Sequence, residues 1–317
     1  MIREQGLISV EQYMSLSNAL YYATRDPLGG QGDFTTAPEI SQMFVEVVGG
    51  ALADCWQRGG APADAAYVEL GPGRGTLAAD ALRVLRQAGF KGAVHFVETS
   101  PVLRDAQRQR HPDAAWHDSL ITIPEGGPLL LVANEFFDAL PIRQWVGARE
   151  RRILFEGDRL EFDVTGAIRE DSPARDAVAW EIGAQLNVRG GIALVIDYGH
   201  AKSSLGETLQ AVRGHRYADV LADPGEQDLT AHVDFEALAK AASVGNVQIS
   251  RIVSQSEWLG RLGIGSRASA LAAAHPDRAE AIAAQLARLC DPEAMGELFK
   301  VMAIHAPDWP APAGFEP

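Results

Sequence analysis

The chain reads as an α/β domain with a mainly parallel sheet and helices on both faces. Three observations predict it. The apolar run Ala66–Leu70 ends in three alternating glycines, Gly71, Gly73 and Gly75, and a helical pattern follows over Thr76–Gln87. That is a strand–turn–helix unit whose turn carries almost no side chains. Residues 129–133 and 192–196 are continuous apolar runs, the pattern of strands buried on both faces. Helical periodicity alternates with these strands, which favours crossover connections and parallel pairing.

Taken in order, residues 7–24 predict a helix with Ser9 as N-cap and Gln12 three residues on, a capping-box pattern. A glycine-rich loop over 26–36 follows. Pro38 opens a second helix, with Ile40, Phe44, Val47, Val48, Ala51 and Leu52 as its apolar stripe. After the first strand and its helix come a strand at 94–98 ending in Glu98, a helix at 101–110 and a short strand at 114–117. Beyond 129–133 the pattern changes. Residues 143–146, 152–155 and 159–164 alternate over short spans, with Glu156-Gly157-Asp158 as a turn, and predict an antiparallel insertion on the C-terminal side of the sheet. Helix resumes at 174–186 and strand at 192–196. Residues 201–228 are polar with Gly and Pro and read as an ordered loop. A helix at 235–242, a strand at 247–252, an alanine-rich helical stretch at 256–290 and a last strand at 299–304 complete the pattern. Residues 307–317 read as a disordered tail.

In open sheets of this kind ligands lie beyond the C-terminal ends of the strands. The first turn is G-x-G-x-G, not the dinucleotide G-x-G-x-x-G, and Glu69 stands beside it. A carboxylate there repels a pyrophosphate and suits a cationic head. S-adenosyl-L-methionine, with a sulfonium and an ammonium group, fits Glu69 better. The form E-L-G-x-G-x-G resembles motif I of class I methyltransferases; a plain turn without ligand is the alternative. Glu98, roughly 20 residues past the last glycine, is placed to accept from two ribose hydroxyls. Asp118, followed by Ser119, accepts from an adenine amino group or serves only as a turn or N-cap residue.

The run Asn134-Glu135-Phe136-Phe137-Asp138-Ala139-Leu140-Pro141 follows the fourth strand. On a helical turn Glu135 and Asp138, three apart, face the same way. Beside a methyl donor such a pair would grip a guanidinium, a lysine or an amine. A capped helix start, with Phe136 and Phe137 in the core, is the alternative. His232 reads as a structural histidine. No spacing of His, Cys and acids points to a metal.

At 317 residues and 47% apolar content the chain has enough material for one large domain or a domain with an insertion. A net charge of −14 disfavours nucleic acid as substrate, since phosphate binding favours basic patches. An acidic surface tolerates a basic protein segment, although solubility alone also accounts for it. Cys55 and Cys290 form no cysteine framework, so a reducing compartment is expected. No apolar run is long enough to span a membrane, and the first residues show neither a signal-peptide core nor a transit-peptide composition.

Taken together, several blocks resemble the MidA-type methyltransferases. They are residues 32–42, 69–77 and 134–141, then Asp197-Tyr198-Gly199, residues 228–235 and residues 295–301. The blocks run in order along nearly the whole chain. The family includes the mitochondrial complex I assembly factor that forms symmetric dimethylarginine on a core complex I subunit. The resemblance implies a class I, Rossmann-like fold with a seven-stranded sheet, S-adenosyl-L-methionine as donor and a protein arginine as acceptor. It suggests that Gly71, Gly73, Gly75 and Glu98 hold the donor, with Asp118 and Ser119 near adenine and Asn134 near the methionine part. Gly32, Asp33 and Thr35 would fold over the cofactor, and Glu135 and Asp138 would face the acceptor. One departure stands out: the family usually carries Gly-Tyr-Tyr before the loop, and here Leu20-Tyr21-Tyr22 lacks the glycine.

The expected organisation is a helical segment with a cofactor-covering loop over 1–60 and a methyltransferase domain over 61–306. A β insertion at about 141–170 and a helical insertion at about 255–292 interrupt the domain, and a flexible tail over 307–317 follows. The partner is then a protein carrying an arginine, a complex I subunit on the family's precedent, and a homodimer is a possible assembly. The compartment is a bacterial cytoplasm, or the mitochondrial matrix for a processed eukaryotic form. Two rivals follow from the same residues: a methyltransferase for another protein or a small molecule, and a cofactor-binding assembly chaperone without turnover. An NAD-dependent oxidoreductase is disfavoured by the glycine spacing and Glu69.

Overall fold

Strand β1 (Leu7–Ser9) leads into helix α1 (Val10–Thr24) in a computed structural model that describes residues 6–24 and 36–316. The capping box forms: the Gln12 N–H donates to Ser9 Oγ at 3.0 Å and the Ser9 N–H to Gln12 Oε1 at 3.1 Å. That cap fixes the helix start at Val10, and the residues before it pair as a strand. The helix expected from Pro38 is two, α2 (Ala37–Ile40) and α3 (Gln42–Arg58). Ser41 separates them with an extended backbone, and its Oγ accepts from the Met43 N–H at 3.2 Å, so it caps α3.

Next come β2 (Ala66–Leu70), α4 (Thr76–Gln87), β3 (Val94–Val97), α5 (Pro101–Arg110), β4 (Ala115–His117) and β5 (Leu129–Asn134). Every residue of β2 and β5 is buried, including Glu69 and Asn134 among otherwise mostly apolar neighbours. The antiparallel insertion comprises β6 (Arg143–Val146), β7 (Arg149–Glu150), β8 (Arg152–Glu156), β9 (Arg159–Phe162) and β10 (Ile168–Asp171). It forms two small sheets, ordered β10-β6-β7 and β1-β8-β9, so the N-terminal strand completes the insertion.

Helix α6 (Pro173–Arg189) and strand β11 (Gly191–His200) return the chain to the main sheet. The expected loop at 201–228 instead carries β12 (Gln210–Arg213) and β13 (Arg216–Ala218), which pair with β14 (Asp228–Thr230) as a third small sheet. Only Ala211 and Leu229 of its inward positions are apolar and buried, and they pack with α1, so the alternation is faint in sequence. β15 (Val233–Asp234) and α7 (Phe235–Ser243) follow. The strand expected at 247–252 is split into β16 (Gln248–Ile249) and β17 (Val253–Ser254), both paired with β18 (Phe299–His305). Ser250 interrupts them by accepting the Ala303 N–H with its hydroxyl at 2.8 Å. The helical stretch between is α8 (Gln255–Arg261), α9 (Ile264–Ala274) and α10 (Ala279–Cys290).

The main sheet runs β16-β18-β11-β5-β2-β3-β4, with β15 and β17 as short additions on β11 and β18. β11, β5, β2, β3 and β4 are mutually parallel and β18 is antiparallel to its neighbours. The fold is that of a class I methyltransferase. One apolar layer, including Tyr67, Phe96 and Ile196, packs under α3, α4 and α8; the other, including Val68, Leu131 and Val195, packs under α6 and α7. The chain moves outward from β2 to β4 and returns to β5 on the other side of β2, so a crevice opens between β2 and β5 at their C-terminal ends. The expected disordered tail is ordered through Glu316. Trp309 lies across Gly59, where an added Cβ would sit 2.7 Å from its ring, and Phe315 packs beside Trp258.

Candidate active site

The turn after β2 is shaped by its glycines. Gly71, Gly73 and Gly75 have φ of 61°, 55° and 74°, a left-handed conformation that disfavours any side chain. Helix α5 clamps the turn from outside. Gln107 Nε2 donates to the Gly73 carbonyl at 2.6 Å, Arg110 Nη1 to the Arg74 carbonyl at 2.8 Å, and His111 Nε2 lies 2.8 Å from the Gly75 carbonyl. No sequence signal marked these three residues.

The turn borders a cavity of ≈ 640 Å³, within the range for small-molecule sites. Of the residues expected around the donor, Glu69, Gly71, Gly73, Glu98, Asp118, Ser119 and Asn134 line it. Gly75 does not: it stands behind the turn against His111 and begins α4. Gly32, Asp33 and Thr35 lie outside the described residues. Thr36, Pro38 and Glu39, which follow them, line the cavity, as do Asn18 and Tyr22 of α1. The last two escaped sequence reasoning, because nothing local ties α1 to a turn fifty residues away.

Glu69 is buried, and the Tyr67 hydroxyl donates to its Oε2 at 2.6 Å. Burial pushes the Glu69 carboxyl up to about 8, with the Tyr67 bond pulling the other way. Glu98 accepts the Ser100 N–H at 2.8 Å, and burial raises its carboxyl too. Asp118 is placed differently from the adenine acceptor expected of it. Its side chain is 82% exposed and paired with Arg104 at 2.7 Å, so it only borders the cavity mouth. Asn134 donates to Glu135 Oε1 at 3.2 Å, while its Oδ1 is buried with no hydrogen-bond partner among the described residues.

Glu135 and Asp138 do not lie on a helical turn. Glu135 has φ of 50°, which breaks the chain sharply after β5. Glu135 lines the cavity and its Oε1 accepts the Ala37 N–H at 2.9 Å, tying α2 to the strand end. Burial pushes its carboxyl up to about 8; the Ala37 N–H opposes the shift and the nearby Asp138 adds to it. Asp138 is absent from the cavity wall. It is buried toward Tyr198, whose hydroxyl is its side-chain partner, and burial raises it as well.

Two residues that sequence reasoning assigned no role hold this turn. Asp197 Oδ2 accepts the N–H groups of Phe136, Phe137 and Asp138 at 3.2, 2.9 and 3.3 Å, and its Oδ1 accepts the Tyr198 N–H at 3.0 Å. Arg175 is buried and donates to the carbonyls of Phe137, Asp138, Ala231 and His232 at 2.7 to 3.1 Å. Its charge offsets Asp138 and Asp197. His232 packs its ring edge-on against Tyr198 at 5.5 Å, consistent with a structural histidine. α1 closes the cavity from above: Asn18 Nδ2 donates to the carbonyls of Leu229 and Ala139, and the Tyr22 hydroxyl donates to Asp228 at 2.8 Å.

The lining suits a nucleoside with a cationic amino-acid arm. The glycine turn permits close backbone approach. Glu98 adds a carboxyl to the cavity wall at the end of the neighbouring strand. Glu69 and Asn134 Oδ1 present acceptor oxygens to the cavity, and an ammonium or sulfonium would favour the ionised form of Glu69. Among the described residues no group of three or more His, Cys, Asp or Glu could hold a metal, and no helix is long and apolar enough to cross a membrane.

Comparison with known proteins agrees with this geometry. Residues 47–163 and 156–253 match the family profile described as "Putative S-adenosyl-L-methionine-dependent methyltransferase". The chain is 36% identical to the protein arginine methyltransferase NDUFAF7 homolog, mitochondrial, of Drosophila melanogaster, over 96% of this chain and 82% of that protein. It is 32% identical to the human protein arginine methyltransferase NDUFAF7, mitochondrial, over 96% of this chain and 81% of that protein. Among solved structures, a Burkholderia thailandensis protein crystallised bound to S-adenosyl-homocysteine superposes with a TM-score of 0.83 at 24% identity, covering 98% of this chain and 91% of that one. A second crystal structure from the same organism superposes with a TM-score of 0.82 at 26% identity, covering 98% and 90%. The chain therefore belongs to the family of S-adenosyl-L-methionine-dependent methyltransferases that also contains the mitochondrial protein arginine methyltransferases.

Proposed function

We propose that the chain methylates an arginine side chain of a protein, with Glu135 as the residue that orients the guanidinium. The observation that carries this reading is Glu135 itself: a half-buried carboxyl that lines the donor cavity and forms no ion pair among the described residues. The relatives' names, protein arginine methyltransferase, supply the acceptor class. S-adenosyl-L-methionine supplies an electrophilic methyl group. Gly71, Gly73, Glu69, Glu98, Ser119 and Asn134 would hold it, with Gly75 shaping the turn and Asp118 at the mouth.

The chain's own work is positioning and charge placement, because in-line displacement needs alignment above all. Glu135 as carboxylate accepts two guanidinium N–H bonds and turns the remaining nitrogen to the methyl. Asp138 supports it from behind, through the turn that Asp197 pins, and does not itself face the acceptor. Following the family resemblance, the product is symmetric dimethylarginine on a respiratory complex I subunit during assembly. The reaction would run in a bacterial cytoplasm or a mitochondrial matrix.

The test is transfer of labelled methyl from S-adenosyl-L-methionine to arginine-containing peptides and to candidate assembly subunits. Gly73→Val serves as the donor-site control. Glu135→Gln keeps an oxygen for the Ala37 N–H. It should lower turnover about 100-fold while changing donor affinity only a few-fold. Equal loss of both would remove Glu135 from the acceptor role, and transfer to lysine peptides alone would replace arginine as the acceptor.

A further inference from the structure

We infer that Tyr67 is a positioning residue for the donor: its hydroxyl takes Glu69 Oε2 and leaves the other carboxylate oxygen to the donor's amino-acid end. The inference rests on the donor reading above. Tyr67 and Glu69 are alternate residues of β2, so both side chains stand on the same face. Both are buried, and the 2.6 Å separation is that of a short hydroxyl-to-carboxylate bond. Tyr67 belongs to an otherwise apolar layer with Phe44 and Phe96, where a phenylalanine would fill the same space. Its hydroxyl therefore does something that packing does not require.

Glu69 lines the cavity, and among the described residues the Tyr67 hydroxyl, not a Lys or Arg, is the group that offsets the burial of its carboxyl. A carboxylate so buried swings toward whatever donor it finds. Fixing one oxygen with a neutral donor favours the ionised form without adding an opposing charge, and it aims the second oxygen. A lysine in place of Tyr67 would have cancelled the charge the ligand needs. The other titratable groups around the same cavity are Tyr22 on α1, Glu39 on α2, Arg74 in the glycine turn, Glu98 after β3, Asp118 after β4, Glu135 after β5 and Glu181 on α6. Burial raises Glu69 and the Tyr67 bond lowers it. Removing that bond leaves less carboxylate near neutral pH.

The test is calorimetric binding of S-adenosylhomocysteine and of 5′-methylthioadenosine, which lacks the amino-acid arm, to Tyr67→Phe, Glu69→Gln and the double variant. Tyr67→Phe should weaken S-adenosylhomocysteine about tenfold or more at pH 7 and leave methylthioadenosine within about twofold. The deficit should shrink toward pH 8.5, as roughly follows from ionising a carboxyl near 8. In the Glu69→Gln background the second substitution should add nothing. Equal loss of both ligands would reduce Tyr67 to a packing residue, and unchanged S-adenosylhomocysteine affinity would overturn the inference while leaving the donor site intact. Failure of the unaltered protein to bind either ligand would instead sink the donor reading on which it rests.

Discussion

Asp197 offers a direct way to separate hydrogen bonding from charge in this site. One of its oxygens gathers three successive backbone N–H groups and the other takes a fourth. It also lies near Asp138 and Glu135 in a group of acids, opposite the buried guanidinium of Arg175. Two substitutions pull these roles apart. Asp197→Asn can keep an amide oxygen toward the three N–H groups of Phe136, Phe137 and Asp138; it gives up the Tyr198 bond and the charge, and relieves repulsion among the acids. A net cost of about 1 kcal/mol is expected, since a neutral acceptor is weaker than a charged one and the lost repulsion offsets part of that. Asp197→Ala leaves the same donors buried without acceptors, at about 1–3 kcal/mol for each that water cannot reach, so about 4 kcal/mol in all.

For a chain of this length 4 kcal/mol lowers the melting temperature by about 6 °C. Urea denaturation of both variants, read with and without S-adenosylhomocysteine, gives the two costs. The alanine variant should also lose most of its methyl transfer, because the turn that presents Glu135 is no longer pinned. If asparagine proves as costly as alanine, the pairing of Asp197 with Arg175 is what matters and the account of the turn given above is wrong.

Three further outcomes follow from the geometry. Glu69 and Glu135 have folded-state values near 8, above their ordinary 4.5, so the folded protein holds more protons than the unfolded chain between those values. Ligand-free stability should therefore fall as pH rises from about 5 to about 8.5, by about 2–5 kcal/mol for each group. Glu69→Gln should flatten that fall, and a stability rising over this range would contradict the placement of both acids. Trp309→Ala should destabilise by about 3 kcal/mol in denaturant, because it empties a buried contact against Gly59; a change below about 0.5 kcal/mol would mean that the C-terminal segment is not part of the core. Asn18→Ala removes two donated bonds and one accepted bond on the cavity wall and should weaken donor binding by about fivefold, read by calorimetry, with little effect if α1 is only a cover.

Much of the sheet was legible because its signals are local. Helix α4 begins and ends where the glycine turn and the apolar stripe say it should, and β5 shows its burial as the unbroken apolar run 129–133. The misreadings have long-range causes. Glu135 and Asp138 looked like helical neighbours, and only the left-handed turn after β5, held by Asp197 from a different strand, sends them apart. The break at Ser41 was hidden because Pro38 and the stripe beyond it suit one helix, whereas Ser41 caps a second. The small sheet of β12, β13 and β14 buries few apolar residues and pairs across a polar loop, so its alternation is almost silent. Trp309 lies in a proline-rich stretch and is ordered by a glycine some 250 positions away, which no window of sequence contains. Gln107, Arg110 and His111 act on the glycine turn across a strand and read as ordinary helix surface until the turn is in place.

The bond between Asn18 and Leu229 spans 211 positions, and it forms part of the wall of the cavity. A pocket closed this way cannot exist on a growing chain until most of the protein has left the ribosome. The glycine turn and its flanking strands emerge much earlier, with one side open. Donor bound at that stage would lack the α1 wall, so the ligand gives little help to a half-made chain and stabilises the finished one. Contacts of such span also slow folding, because ordering the long intervening segment comes before their reward. A chain cut short before residue 228 keeps the glycine turn and loses the partner that holds Asn18 in the cavity wall.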